Sequence, residues 1–391
     1  MDKQQKLRRQ FTYAMLFYVV GFAICFTVTA VLLKDLSAAF HLPEKLEGTM
    51  SATCSIGSLL ALVSMLFLQG RIKKSALLAG CGLTMCVCMV LKGIVPSYGL
   101  LLFVFFIFGI ALGFGDCNCN AFIVDLNGAD ADKYLGSLHA FSGLGAMLTP
   151  LFITWIRSKN TWQNTYFLMA LIAAIPFLYF TFMCFYMNKR IDSNEMPEIR
   201  LTMQDIKDYL TDKENLGVMF GMMFYNLFFN GFIVWVTLYT DRIIDPAISA
   251  YPLAVFWIFG ATSRYFAPRT GISSRKLFMI GTPLGGLAIL IGVLFRNPAA
   301  LIICCGLGGL LAGPGIPTLV SIGCERYADR SGLPSSILVI TQYIGSTISP
   351  LIMAAISDAA SLQESMIFTA CCAFVSTAFG FLFTRKKTHV L

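Results

Sequence analysis

Gly145-Ala146-Met147-Leu148-Thr149-Pro150-Leu151 returns 200 residues later as Gly345-Ser346-Thr347-Ile348-Ser349-Pro350-Leu351, with glycine, proline and leucine in register. A second pair of segments keeps the offset: Gly70-Arg71-Ile72-Lys73-Lys74-Ser75-Ala76-Leu77 and Thr270-Gly271-Ile272-Ser273-Ser274-Arg275-Lys276-Leu277, where Ile72 matches Ile272 and Leu77 matches Leu277. Each copy lies in or beside a long apolar stretch. Twelve such stretches fill the 391 residues, near 11–33, 47–69, 75–95, 99–124, 136–157, 165–187, 214–239, 247–268, 277–295, 299–323, 332–357 and 362–384. With 57% hydrophobic and 13% charged residues and a mean hydropathy of +0.73, most of the outer surface is solvated by lipid. A helix needs about 20 mainly apolar residues to cross the hydrocarbon core, because backbone polar groups cannot go unpaired there. The sequence therefore predicts an all-α membrane protein of 12 transmembrane helices in two pseudo-symmetric six-helix halves, 1–187 and 214–391, joined by a cytoplasmic linker at 188–213.

Basic residues orient the spans, since Lys and Arg accumulate in short cytoplasmic loops. With the amino terminus inside, the cytoplasmic segments hold 22 of the 29 Lys and Arg and the outer ends and loops hold seven. Both termini are thus expected in the cytoplasm of a multi-pass protein of the plasma membrane. The same distribution accounts for the formal charge of +8. The basic residues are spread over seven inner segments and form no single patch, so the balance is no signal for nucleic acid. The first apolar stretch follows Arg8-Arg9 but runs past 20 residues without a small-x-small cleavage site, and it is read as the first helix rather than a signal peptide.

Most of the thirteen cysteines fall within spans, where they behave as small hydrophobes. Cys86 and Cys88, like Cys117 and Cys119, sit about 200° apart on a helix and cannot share an ion. Gly306-Leu307-Gly308-Gly309 precedes no nucleotide-binding strand and helix, and reads as close-packing glycine. No Ser-His-Asp, metal-ligand or phosphate-cradling set appears, so neither an enzyme nor a bound metal or cofactor is expected.

In the linker, Ile199, Leu201, Ile206, Tyr209 and Leu210 alternate with charges as on a surface helix, and Thr202 and Asp205 have capping-box spacing. Parallel six-helix halves with such a tether are an arrangement in which one half rocks against the other about a midplane site. That is a transporter's architecture, and one chain suffices for it.

Family likeness is carried by several of these segments. The chain resembles the major facilitator superfamily, and spans four and five resemble its fucose-proton symporter branch of sugar permeases. The superfamily's loop after helix two is degenerate in Gly70-Arg71-Ile72-Lys73-Lys74, which lacks its Asp, and better kept in Gly260, Arg264, Arg269, Gly271, Arg275 and Lys276. Gly113-Phe114-Gly115-Asp116-Cys117-Asn118-Cys119-Asn120-Ala121-Phe122 is similar to the branch's helix four, and His139-Ala140-Phe141-Ser142-Gly143-Leu144-Gly145 to its helix-five segment. The resemblance implies that Asp116 is the protonatable acid of helix four and Asn120 the Asn on its cavity side. The branch's helix-one acid has no counterpart between Phe11 and Leu33.

Asp116 also stands out on physical grounds, as the one acid deep inside a span. Such residues usually face a polar cavity and mark a pathway. It either binds and releases a coupling proton, for which sodium is the substitute, or ties helix four to a neighbour through hydrogen bonds. Gly113, Asp116 and Asn120 share one stripe, while Asn118 is turned about 200° from Asp116 and is expected to bond a packed neighbour. Candidate ligands for a small solute are Asn120, Asn226 and Asn230 in span seven, Gln342 in span eleven, Trp257 and Tyr18; for each, helix–helix packing is the competing role. Candidate gating points are His139, Gly143 and Pro150 in span five and Pro314 and Pro317 in span ten. Asp125, Glu325 and Arg326 fall at cytoplasmic helix ends, where a charge network would hold one access state closed; ordinary interfacial solvation is the preferred reading.

Three functions fit these residues. They are proton-coupled uptake of a sugar or related polar solute, export of an organic anion or hydrophobic compound, and a non-transporting receptor or scaffold. The topology is tested with reporter fusions in a bacterial host: alkaline phosphatase fused after Leu391 is expected to be inactive, and fused within 158–161 active. The reverse pattern would invert the assignment.

Overall fold

The computed structural model describes residues 3–42, 44–68, 70–188, 202–249, 251–327 and 330–384. The first part of the chain runs as α1 (Lys3–Val31), the short α2 (Leu33–Ala39), α3 (Glu44–Leu68), α4 (Lys74–Lys92), α5 (Tyr98–Asn127), α6 (Ala131–Arg157) and α7 (Trp162–Asn188). After the short α8 (Met203–Thr211) come α9 (Lys213–Tyr239), α10 (Tyr251–Phe266), α11 (Ser274–Phe295), α12 (Pro298–Ala312), α13 (Gly315–Glu325), α14 (Gly332–Ala359) and α15 (Leu362–Thr384). Eleven stretches are long and apolar enough to cross a membrane, and the 60-residue one, Tyr98–Arg157, contains both α5 and α6. The twelve expected passes are therefore present. Large apolar side chains such as Leu171, Phe182, Phe185 and Ile303 are exposed, as a lipid-solvated surface requires.

Local chemistry sets the ends. Ser97 caps α5 through the Leu100 N–H at 3.5 Å. Gly128 ends it at φ +49°, a conformation that costs glycine little. Asn297 caps α12 through the Ala300 N–H at 3.1 Å, with Pro298 in the first turn where its missing N–H is no loss. The tenth pass breaks at Gly313-Pro314, since the proline ring cannot continue α12, and α13 restarts at Gly315. By contrast α6 runs through Pro150 unbroken. In α8 the capping box forms as expected, Thr202 N–H to Asp205 at 2.8 Å and Asp205 N–H to the Thr202 hydroxyl at 3.2 Å. Ile206 and Tyr209 are buried and Leu210 is exposed; Ile199 and Leu201 lie outside the described residues.

Two compact units hold these helices. One contains the chain up to Tyr134 and onward from Phe141, together with the start of α14 up to Ser336; the other contains Leu135–Ala140, the chain from Thr202 to Tyr327, and Ile337 onward. The core of the first is aromatic, with Tyr18 packed against Phe177 and Phe180 at 4.8 and 4.9 Å between ring centroids. The second buries Tyr225, Phe228, Phe232 and Phe256.

The internal repeat extends to side-chain contacts. A Cβ on Gly109 of α5 would run into the Cys54 carbonyl of α3, and one on Gly309 of α12 into the Phe256 carbonyl of α10. A Cβ on Gly145 would stand 3.0 Å from Ala23 Cβ, and one on Gly345 3.0 Å from Asn226 Cβ. Small residues admit this approach because, without water, helices associate through close van der Waals contact. Gly70 and Gly271 turn the repeated loops at φ +70° and +78°. Their offset is one residue more than the matching of Ile72 with Ile272 implies, so the register slips within the loop. Gly109→Ala and Gly309→Ala are each expected to lower stability by about 1–3 kcal/mol through overpacking. Unchanged melting in detergent for both would show that the helices separate freely at these points.

Candidate functional site

On α5 the predicted polar stripe divides. Gly113 lies against Ser58 of α3, where a Cβ would stand 2.9 Å from Ser58 Cα, so it serves packing. Asn118 is buried, and its amide donates to the Phe114 carbonyl at 2.7 Å and to Met65 Sδ at 3.6 Å, the packed neighbour expected for it. Asn120 is buried too, with its amide turned onto the Asp116 carbonyl of its own helix at 3.0 Å. Cys117 Sγ meets Ser336 Oγ at 2.9 Å. Asp116 differs from all of these. It is half-buried, and among the described residues its carboxylate has neither a hydrogen bond nor an ion pair. Among the described residues, then, this carboxylate makes no tie between α5 and a neighbouring helix. A charged group at such depth costs about 2.5–3.5 kcal/mol on insertion scales, and no hydrogen bond or ion pair among the described residues offsets it.

The other candidates separate by whether their polar atoms are already engaged. Tyr18 is fully buried and donates to the Leu78 carbonyl at 2.8 Å, which leaves it no face for a solute. Asn226 is buried and folds back on Met222, 2.9 Å to its carbonyl. Asn230 bridges α9 to α14 through the Ser346 carbonyl at 3.2 Å. Gln342 is half-buried with no hydrogen bond to a described residue. Trp257 is half-buried, edge-on to Phe229 at 5.7 Å. Of the gating candidates, His139 is half-buried and lies within electrostatic range of Arg264. Gly143 is buried, and Pro150 lies inside a continuous helix. Pro314 marks the break of the tenth pass and Pro317 is buried in the first turn of α13.

Arg264 is a buried cation that the sequence did not place among the candidate solute contacts. It was expected among the loop charges that orient the spans, yet it is 5% exposed. Its Nε donates to the Gly313 carbonyl at 2.8 Å, and its Cζ lies 5.1 Å from the centre of the Phe229 ring and 5.7 Å from that of Trp257. The signal was present: Trp257, Gly260 and Arg264 fall at i, i+3 and i+7 on one helix face. Helical side chains also lean towards the helix N-terminus, which at the end of α10 means back into the span.

The fold and these residues agree with the comparisons to known proteins. The family model of the Major Facilitator Superfamily matches residues 15–273. The chain belongs to the major facilitator superfamily. As a member it is a multi-pass membrane transporter. The solved structure of the superfamily transporter FucP in its outward conformation is similar, with a TM-score of 0.77 and 14% identity over 96% of this chain and 99% of that one. A second structure of the Escherichia coli fucose:proton symporter gives 0.77 and 14% over 96% and 98%. The human organic anion transporter TETRAN gives 0.74 and 15% over 95% and 99%. The proton:xylose symporter XylE gives 0.74 and 14% over 97% and 96%. At these identities the likeness is one of fold. No curated protein matches the sequence significantly.

In this superfamily member the helix-end charges are paired, where plain interfacial solvation was the preferred of the two readings. Lys74 meets Asp125 at 2.6 Å, and Ser331 also bonds Asp125. Two hundred residues on, Arg275 meets Glu325 at 2.8 Å, so the repeat reproduces an ion pair. Arg326 bridges Asp212 at 3.1 Å and Glu214 at 3.2 Å. Burial works against the charged form of Asp212, but the Asn215 N–H, the Arg326 charge and the Glu214 N–H hold its carboxyl below the usual range. The two repeated pairs differ in shielding: side-chain exposure is 12% and 17% for Lys74 and Asp125, against 31% and 61% for Arg275 and Glu325. Removing one partner of a sequestered pair strands a charge at about 3–5 kcal/mol, whereas an exposed pair contributes about 0–1 kcal/mol. Lys74→Ala is thus expected to lower the melting temperature clearly more than Arg275→Ala, and equal losses would contradict the difference in shielding.

Proposed function

We propose that this transporter works by alternating access, with the halves 1–187 and 214–391 as the moving bodies, and couples a small solute to protons through Asp116. The observation that carries the reading is the Asp116 carboxylate, deep in a span and without a partner among the described residues. A carboxylate not committed to a hydrogen bond is able to take up and release a proton as its exposure to water changes. We place both termini in the cytoplasm on the strength of the charge distribution, read the chain as a monomer because two six-helix halves need only one chain, and assign it to the plasma membrane.

Two solute classes have support. The sugar class is supported by the fucose:proton and xylose:proton symporters among the structural neighbours and by Gln342, whose amide is uncommitted to described residues. The organic-anion class is supported by the human neighbour and by Arg264, a fixed cation in a span that a neutral sugar does not need. The geometry favours the anion, because Asn120 and Asn226 have turned their amides onto their own helices.

The test is uptake into proteoliposomes of labelled hexoses, deoxyhexoses and aromatic monocarboxylates, with and without an inward proton gradient. Asp116→Asn is expected to abolish gradient-driven accumulation while leaving solute exchange at equilibrium. Accumulation that persists in Asp116→Asn would remove the carboxylate from the coupling step.

A further inference from the structure

We propose that the Arg264 guanidinium is a solute-binding group, and that the solute it takes is an organic monocarboxylate with a flat apolar body. The proposal rests on the transport reading above and names its substrate class. All the residues that build this site belong to one compact unit. Arg264 leaves α10 in its last turn, but the guanidinium ends against residues from the middle of other passes. Gly313 lies at the break between α12 (Pro298–Ala312) and α13 (Gly315–Glu325), and Tyr225 lies near the centre of α9 (Lys213–Tyr239). The cation therefore sits well inside the span.

Its surroundings are a carbonyl and three rings, with His139 of α6 within electrostatic range. Pro317, four residues on, has no N–H to give, so the Gly313 carbonyl is left to accept from Nε at 2.8 Å. The Tyr225 hydroxyl donates to the Ala312 carbonyl at 2.6 Å and lies within electrostatic range of the guanidinium. A Cβ on Gly315 would collide with the Tyr225 ring, so glycine at that position is what lets the ring reach Arg264. Phe229 and Trp257 wall the group at 5.1 and 5.7 Å. Among the described residues Arg264 forms no ion pair: the carboxylates of this unit that are paired, Asp212, Glu214 and Glu325, are bound to Arg275 and Arg326.

A purely structural role does not account for this arrangement. Tying α10 to α12 takes one neutral donor, such as the Ser263 hydroxyl, which is shared between the Gly260 carbonyl of its own helix at 3.2 Å and the Gly309 carbonyl of α12 at 3.3 Å. Arginine adds a permanent charge and a planar fork of donors, of which the Gly313 carbonyl engages only Nε. A fork of that shape matches a carboxylate bidentately. One cation balances one negative charge, whereas a phosphate dianion would leave a charge unmatched. Aromatic walls cover a flat apolar body and offer nothing to the many hydroxyls of a polyol.

The experiment is equilibrium binding to the purified full chain in detergent, read by melting temperature and by fluorescence of the four tryptophans, one of which is Trp257. The probes are benzoate, phenylacetate and nicotinate, each against its neutral amide, with L-fucose alongside. At least one carboxylate is expected to raise the melting temperature and change the fluorescence saturably, its amide to bind about tenfold or more weakly, and fucose to have no effect. Arg264→Gln should remove the preference for carboxylate over amide, and Arg264→Lys should restore part of it. The carboxylate and amide comparison on the unaltered protein keeps the test valid if Arg264→Gln does not fold. Equal binding of acids and amides, no binding of any of the three carboxylates to a cooperatively melting protein, or an undiminished preference in Arg264→Gln would overturn the proposal. No gradient is involved, so failure of Asp116 coupling leaves this result standing; carboxylate binding without uptake in proteoliposomes would sink the transport reading alone.

Discussion

A charge inside a membrane span has no water to solvate it, so the protein must answer it with another group or leave it for a ligand. Most charges here are answered within reach of a helix end. Lys74 has Asp125, Arg275 has Glu325, Arg157 has Asp35 at 2.6 Å, and Arg326 has two carboxylates. Lys92, fully buried at the end of α4, lies over Phe105 and Phe108 with its ammonium 4.0 and 3.6 Å from the ring centres. Asp116 and Arg264 depart from this pattern. Each sits deep in a pass without an opposite charge among the described residues, and the transport chemistry proposed for the chain rests on them.

Close helix packing is what makes those positions possible. Gly109 and Gly309 bring α5 onto α3 and α12 onto α10 at backbone contact, and van der Waals attraction at that distance stands in for a hydrophobic effect that lipid does not supply. The same approach fixes neighbouring side chains. Where α12 gives way to α13, Pro317 has no N–H for the Gly313 carbonyl, which becomes the acceptor for Arg264, and the missing Cβ of Gly315 admits the Tyr225 ring. A helix break that costs a backbone hydrogen bond thus supplies one edge of a polar site in an apolar surround.

The passes were legible because the requirement for about 20 apolar residues is a one-dimensional signal. The break of the tenth pass was legible because Pro314 acts on its own backbone. Asp116 was legible for a related reason: a lone acid in an apolar run is visible without knowing its neighbours. The amides were less so. Asn226 and Asn230 sit one turn apart in the sequence, yet one folds onto Met222 and the other crosses to Ser346. Asn120 shares a stripe with Asp116 but is buried against its own helix, since helical phase gives a direction and says nothing of what stands there.

By itself the sequence determined the number of passes, the duplicated arrangement and the acid at 116, because each follows from composition and spacing along one chain. The tertiary structure decided which helix ends are ion-paired, which polar side chains are already engaged, and that Arg264 belongs to the interior. The physical reason is reach. An arginine near a helix end is long enough to lie in water or several ångströms within the span, and only the carbonyl and rings that other helices bring to it select between the two.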